Sequence, residues 1–199
     1  LRMLGKKPST GYMQTKWDGA PSVVCGKHPA NGMFFVGTKS VFNKENPKVC
    51  YDEADVDMHY GDASPDLKSK LKMCINYFPS LNMDSVCQGD LLFTDDVKTE
   101  DVDGERLHTF KPNAITYAIP VDHPIGVALK KAKIGIVFHT SYTGSEIATM
   151  TAKAGAPKMK PTADVFLVDN DTPMDDISVD RSTLSKFQQN ISQVETLCN

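Results

Sequence analysis

Residues 16–21, with the sequence KWDGAP, hold an amine and a carboxylate at a spacing that could do chemistry. Lys16 and Asp18 lie two residues apart, just before a Gly-Ala-Pro turn signal. Side chains at i and i+2 of an extended segment share a face, so the two groups point to one place. An amine held in a pocket can lose its proton and attack phosphorus or a carbonyl carbon. The pattern predicts that Lys16 is a covalent nucleophile; the alternative is a surface ion pair with Asp18.

Three later segments could contribute to the same pocket. Residues 37–40 (GTKS) follow a strand pattern and offer backbone N–H groups, hydroxyls and the Lys39 ammonium to a phosphate. Asp90 follows a glycine inside an apolar strand pattern, where it can approach a ribose or a metal ion. Lys158 and Lys160 share a face ahead of the last strand pattern. Each segment also has a plainer interpretation. Lys39 could be a solvated lysine in a turn, Asp90 an acid in a turn, and Lys158 and Lys160 the exposed basic start of a strand.

The apolar patterns predict the elements that must position these residues. Helices are predicted over 67–78 and 126–133 and in the segment after 169, and strands over 22–25, 33–36, 86–93, 113–119, 134–139 and 165–168. The composition of residues 43–66 predicts a long polar segment on the surface, and that of residues 94–109 predicts a charged loop or hairpin. Residues 141–144 are predicted to form a turn. Many strands with few helices between them predict an α+β fold built on an antiparallel sheet.

Composition limits the classes of protein that this chain can represent. Its 199 residues suit one globular domain with a short appendage, which we place at 1–168 for the domain and 169–199 for an acidic linker and a C-terminal helix. No apolar run approaches the roughly 18 residues of a membrane span. The five cysteines are scattered without a CxxC pair, which favours reduced thiols over disulfides or a zinc site. We therefore expect a cytoplasmic protein, in the host cytoplasm if it is viral, with no membrane partner.

The residues singled out above resemble the motifs of a known superfamily. Residues 16–19 (KWDG) look like motif I, KxDG, of the covalent nucleotidyltransferases, which comprise ATP-dependent DNA ligases, RNA ligases and mRNA capping enzymes, phage-type ligases included. Residues 37–40 are similar to the second element of that family. Residues 88–93 (QGDLLF) resemble motif III, with Asp90 where glutamate is common, and 114–117 (AITY) resemble the strand that follows. The match runs in order over roughly residues 12–160.

The resemblance implies a fold, a reaction and a set of site residues. The fold would be an antiparallel-sheet nucleotidyltransferase domain of the DNA/RNA ligase, ATP-grasp-like type. Lys16 would attack the α-phosphate of ATP, form a lysyl-AMP with loss of pyrophosphate, and pass the nucleotide to a nucleic-acid 5′ end. Asp90 would hold Mg²⁺, and the residues implied in nucleotide binding are Gln14, Asp18, Gly19, Lys39, Tyr117, Lys158 and Lys160. RNA ligase is preferred over DNA ligase, because the domain is compact and no OB-fold follows it; GTP as donor and DNA as acceptor stay open.

One motif departs from the family pattern. Motif IV is Glu-Gly-x-Val-x-Lys, and the nearest segment, residues 134–139, has the sequence IGIVFH. Ile134 stands at the glutamate position, where the family helps hold its metal, and His139 stands at the lysine position. A structural role is the expectation for His139. The departure leaves a second hypothesis open, a non-catalytic nucleotide- or nucleic-acid-binding module with a degenerate ligase fold.

Overall fold

The computed structural model describes residues 15–157, 159–169 and 180–198. The chain divides into two compact units, one spanning Lys16–Asn170 and the other containing the C-terminal helix. The first unit contains β1 (Ser22–Lys27), β2 (Phe34–Gly37), α1 (Glu53–His59), α2 (Pro65–Tyr77), β3 (Val86–Phe93), β4 (Lys98–Val102), β5 (Glu105–Phe110), β6 (Tyr117–Pro120), α3 (Pro124–Lys131), β7 (Ile134–Thr143), β8 (Thr151–Ala154) and β9 (Val165–Val168). The second contains α4 (Arg181–Cys198).

The larger sheet has six strands, and its path runs β2-β1-β3-β7-β8 with every neighbour antiparallel. β9 pairs in parallel with the first half of β7, at residues 134–137. β4, β5 and β6 form a second, three-stranded antiparallel sheet. The protein is therefore α+β and built on antiparallel sheets, as the sequence predicts.

The main core lies between one face of the larger sheet and the first two helices. α2 begins after Ser64, whose hydroxyl accepts a hydrogen bond from the Leu67 N–H, and Pro65 takes the first helical position, where its missing N–H costs nothing. Its apolar stripe places Leu71 and Cys74 fully out of solvent against the sheet. Two smaller apolar clusters lie elsewhere, one around Val24, Phe35 and Val41 and one around Leu92, Phe93 and Phe110.

Several sequence predictions are wrong in detail. The polar stretch 43–66 contains α1, which Asp52 caps by accepting a hydrogen bond from the Asp55 N–H. The strand predicted over 113–119 is the shorter β6, whose residues alternate between half-buried and exposed rather than being buried. The turn predicted at 141–144 is wrong because β7 continues to Thr143, where it pairs with β8. β8 itself is exposed at all four residues, so it carries no apolar pattern that could have predicted it.

Two features agree with the compositional predictions within the described residues. None of the helices described is long and apolar enough to cross a membrane. Cys25, Cys50, Cys74 and Cys87 are free and buried. Burial raises the pKa of the Cys50 thiol to about 12, with the acids Asp55 and Asp52 adding to the effect, and burial also raises the pKa of Cys74.

Candidate active site

The segment that carries Lys16 lies directly against β3. The Ala20 N–H donates to the Leu91 carbonyl at 2.8 Å, and the Leu91 N–H donates to the Pro21 carbonyl at 3.1 Å. Gly19 lies so close to the strand that a Cβ there would come within 2.6 Å of the Asp90 Cβ and 2.9 Å of the Leu91 carbonyl oxygen. Glycine is therefore required at position 19 by close approach, and this approach places the Lys16 segment next to Asp90.

Asp18 anchors that segment to the chain just before β6. Its carboxylate accepts hydrogen bonds from the Asn113 amide at 2.8 Å and from the Ala114 and Ile115 N–H groups at 2.7 and 2.8 Å. Hydrogen bonds from Ile115 and Asn113 hold the pKa of Asp18 below its ordinary value, with the charge of Lys16 adding a smaller effect. All three hydrogen bonds come from the protein, so Asp18 positions the segment, and a role in contacting nucleotide stays a prediction.

Tyr117 supports the same segment from β6. The Asp18 N–H donates to its hydroxyl at 2.8 Å. Its ring packs against Trp17 and Phe110, with centroid separations of 5.0 and 5.3 Å. Tyr117, which the resemblance implies in nucleotide binding, is thus joined to the Lys16 segment through its hydroxyl and through the Trp17 ring.

Asp90 belongs to a row of polar groups on the face of the larger sheet that does not form the main core. Ser22 lies opposite Asp90 in the register of β1 and β3, and its hydroxyl hydrogen-bonds the carboxylate. The Gln88 amide donates to the Ser22 hydroxyl at 2.9 Å, and the Tyr142 hydroxyl donates to the Gln88 carbonyl oxygen at 2.6 Å. Four polar side chains from three strands therefore form one hydrogen-bonded chain that ends at Asp90.

His139 joins this row from β7: Phe138 lies in the main core, so strand alternation turns His139 to the opposite face, where β7 also carries a β-bulge. Gln88 pairs with Thr140 and Gly89 pairs with Phe138, so His139 is an extra residue with no partner on β3. Its Nε2 lies 3.5 Å from Asp90 Oδ1. Burial alone would raise the pKa of Asp90, but hydrogen bonds from His139 and Ser22 and the charge of Lys16 outweigh it, so the pKa lies below its ordinary value.

Lys16 itself is exposed and lies near two acids, Asp18 and Asp90. Its charge acts on both Asp18 and Asp90, although no ion pair within 4.0 Å is formed with either one. An exposed amine beside two carboxylates can receive a ligand without first leaving a buried ion pair. The structure thus brings together Lys16, Asp18, Gly19, Asp90 and Tyr117 from three separate stretches of sequence.

The remaining predicted site residues lie in different places. Lys39 is exposed in a short 3₁₀ turn after β2 and, because Gly37 pairs with Val24, this turn lies at the end of the sheet that holds Ser22. Lys160 instead lines a cavity of about 470 Å³ beside residues 80–85. Position 85 precedes Asp90 by five strand residues, which corresponds to roughly 16 Å. Gln14 and Lys158 lie outside the described residues.

An apolar cavity of about 560 Å³ adjoins the segment on the side of Trp17. Its walls include Trp17, Tyr117 and Phe166. The Trp17 indole N–H is buried without a hydrogen-bond partner.

For metal binding, the residues present provide one carboxylate at the expected place. Within the described parts of the chain, no cluster of three or more His, Cys, Asp or Glu side chains could hold a metal ion. Mg²⁺ in nucleotide sites typically takes only one or two protein carboxylates, with phosphate oxygens and water as its other ligands. The half-buried, ionised carboxylate of Asp90 fits that requirement.

Sequence reasoning missed the residues that orient Asp90 and Asp18. Ser22, Gln88 and Tyr142 are scattered polar residues within apolar strands, and their alignment depends on the pairing of β1, β3 and β7. Asn113 precedes a predicted strand and gives no signal of its own. The one usable signal was His139, a polar residue at the end of an apolar run, and it was assigned a structural role.

Comparison with known proteins identifies a family without a known function. A family model matches the chain over residues 1–199. The chain belongs to DUF6267, a family of unknown function. No curated protein and no solved structure matches it. For this DUF6267 member, functional inference therefore depends on the site itself.

Proposed function

We propose that this protein is an ATP-dependent nucleotidyltransferase of the ligase and capping class that forms a covalent lysyl-AMP at Lys16. In this reaction the Lys16 Nζ attacks the α-phosphorus of ATP. A P–N bond forms, the bond from the α-phosphorus to the pyrophosphate oxygen breaks, and the amine loses a proton to solvent. The AMP group then passes to an RNA or DNA 5′-phosphate end: an oxygen of that phosphate attacks the same phosphorus, a P–O bond forms, the P–N bond breaks and the Lys16 amine is released.

The observation that carries the proposal is the close packing of the KxDG segment on the strand that holds Asp90. A chance four-residue match has no reason to lie beside the segment that resembles motif III of the same family. Here Gly19 makes that approach possible, and residues 71 positions apart in sequence come within van der Waals contact. The order KxDG, then Gly-Asp on a central strand, then an aromatic residue on a following strand supports a nucleotidyltransferase fold.

The chain's own residues have distinct tasks in this reaction. Asp18 and Tyr117 hold the segment in place through four hydrogen bonds, which position the backbone from which the Lys16 side chain extends. Such positioning is a large part of catalysis in phosphoryl transfer, because the transition state needs alignment and charge neutralisation. Asp90 would hold the divalent metal ion, which when bound neutralises the charge of the phosphate oxygens. Lys39, at the same end of the sheet, is available to a phosphate.

A specific observation favours the second candidate, a non-catalytic nucleotide- or nucleic-acid-binding module. Ile134 stands where the family places a metal-binding glutamate, and it is fully buried in the main core. It also pairs with Val165 of β9, so the position faces apolar neighbours instead of the polar row. A site that kept Lys16 and Asp90 without this carboxylate could bind nucleotide and leave it unchanged.

Labelling with nucleotide distinguishes the two candidates. The protein is incubated with α-³²P-labelled ATP or GTP and a divalent metal, denatured, and separated by electrophoresis. The enzyme predicts label on the wild type and on the control variant Lys44→Ala, which alters another exposed lysine, and loss of label in Lys16→Ala. Absence of label with both nucleotides would refute the enzyme. A rise in melting temperature with ATP, without label, is the result that the binding module predicts.

A further inference from the structure

Asp90 and His139 face each other across two neighbouring strands at the edge of the solvent. Their side chains are 21% and 26% exposed, and Asp90 Oδ1 lies 3.5 Å from His139 Nε2. His139 lies two residues after Val137, the partner of Asp90 on β7, so strand alternation puts His139 and Asp90 on the same face of the sheet. This arrangement brings a nitrogen and an oxygen donor together, and the β-bulge leaves His139 without a partner on β3.

Both side chains are held in place by groups behind them. The Asp90 carboxylate is oriented by Ser22, which in turn receives a hydrogen bond from Gln88. The other ring nitrogen of His139, Nδ1, lies 2.8 Å from the Thr140 hydroxyl. When Nδ1 donates its proton to Thr140, Nε2 carries no proton, and its lone pair and the carboxylate oxygen can share a cation in place of the hydrogen bond that a protonated Nε2 donates to Asp90. Metal-binding histidines are typically held through their second nitrogen in this way.

We propose that Asp90 and His139 are the two protein ligands of a first-row divalent ion of the Mn²⁺ or Co²⁺ type. Two ligands of one such ion, each about 2.1 Å from it, lie roughly 3.0–3.5 Å apart, which agrees with the 3.5 Å observed between Oδ1 and Nε2. An imidazole ligand suits these ions, whereas Mg²⁺ prefers oxygen ligands alone. The part of this inference that assigns the remaining ligand positions to nucleotide phosphates and water rests on the proposed function.

The proposal also accounts for the missing motif IV carboxylate. Ile134 cannot bind a metal, but His139, five residues further along β7, supplies a donor on the side of the strand that faces Asp90. The site therefore has two protein ligands, one on β3 and one on β7. Lys16 is the neighbouring cation that competes with the ion for Asp90, because its charge already acts on that carboxylate.

Paramagnetic broadening in NMR tests the site without nucleotide. The chain has five histidines, whose imidazole signals report on separate places. Chelator-treated protein is titrated with MnCl₂, and the His139 signals are assigned from their absence in His139→Gln. We expect them to broaden at sub-stoichiometric Mn²⁺, before those of the other four histidines, and to do so in a tenfold excess of Mg²⁺. The control variant His59→Gln, on α1, should leave this behaviour unchanged.

Mn²⁺ affinity, measured by electron paramagnetic resonance of the free ion, provides the second readout. Losing a group that merely orients a ligand weakens metal binding about 10–100-fold. Asp90→Asn and His139→Gln each remove a ligand and should weaken it by at least about 10-fold. Equal broadening of all five histidines, displacement by the Mg²⁺ excess, or unchanged affinity in both variants would overturn the proposal. Circular dichroism of each variant establishes that it is folded.

The two proposals can fail separately. Mn²⁺ binding at His139 in a protein that is never labelled by ATP or GTP supports the metal site and refutes the nucleotidyl transfer. Labelling at Lys16 in a protein whose Mn²⁺ affinity does not depend on His139 or Asp90 supports the transfer and refutes the metal site.

Discussion

Replacing Gly19 by alanine tests the packing that brings Lys16 to Asp90. The added Cβ would lie 2.6 Å from the Asp90 Cβ, about 0.8 Å short of the 3.4 Å at which ordinary contact begins. Two of the nearest three atoms belong to the backbone of β3, so the clash cannot be relieved by rotating a side chain. Overpacking of this kind costs about 1–3 kcal/mol. For a domain of this size we expect a melting temperature lower by roughly 2–12 °C.

The same displacement should affect chemistry more than stability. Moving the segment by nearly 1 Å misplaces Lys16, and a 1 Å misplacement can cost about 100-fold in rate. The labelling rate of Gly19→Ala should therefore fall by about that factor while circular dichroism stays like that of the wild type.

Gly61→Ala is the matched control for this experiment. Its Cβ would meet only the Asp57 carbonyl oxygen, at 3.2 Å, far from Asp90, so both the stability and the labelling should change little. A Gly19→Ala protein with wild-type melting temperature and wild-type labelling rate would show that the segment does not pack on β3 in this way.

Three further substitutions test the fold and the polar row. Asp18→Asn should reduce the acid sensitivity of the protein, because the pKa of Asp18 is lower in the folded state than in the unfolded state. The contribution of Asp18 to the free energy of unfolding is therefore present above about pH 3.9 and is lost as the pH falls through the folded-state pKa. Thermal melts between pH 2 and 7 should show a smaller acid-induced decline in the variant than in the wild type, and identical declines would contradict the reasoning. Leu71→Ala removes a fully buried side chain of α2 and should lower the free energy of unfolding by about 2–5 kcal/mol in denaturant titrations, whereas exposed Ser69→Ala should change it little. Tyr142→Phe removes the donor to the buried Gln88 and should cost about 1–3 kcal/mol by the same measurement; a cost near zero would mean that the chain of hydrogen bonds ending at Asp90 is not formed.

Local patterns in the sequence predicted the central elements well. β3 matches its predicted range of 86–93, and the helix predicted over 67–78 is α2. Both elements carry strong apolar patterns, because they pack on the main core. The same reasoning failed in two ways. β8 is exposed and leaves no apolar signal, whereas the apolar pattern at residues 113–116 predicts a strand where the chain is held by hydrogen bonds to Asp18.

The candidate site was predicted in part. The spacing of Lys16 and Asp18 indicated a reactive segment, and the position of Asp90 in an apolar strand indicated a directed acid. The sequence could not distinguish a ligand-binding acid from an anchoring one: Asp18 is held by three protein donors, whereas Asp90 is oriented by Ser22 and faces His139. Lys160 was expected in the same pocket, but the structure places it in another cavity.

The sequence by itself determined that a lysine and a carboxylate share a short turn-bounded segment, and that apolar strands of an α+β fold surround it. Tertiary structure alone decided what that segment faces. The close approach at Gly19 depends on the packing of two distant stretches, and the nearness of His139 to Asp90 depends on the register of β7 with β3. Apolar periodicity is a property of neighbouring residues, whereas register and bulges are set by interactions between strands about 50 residues apart, which no local pattern records.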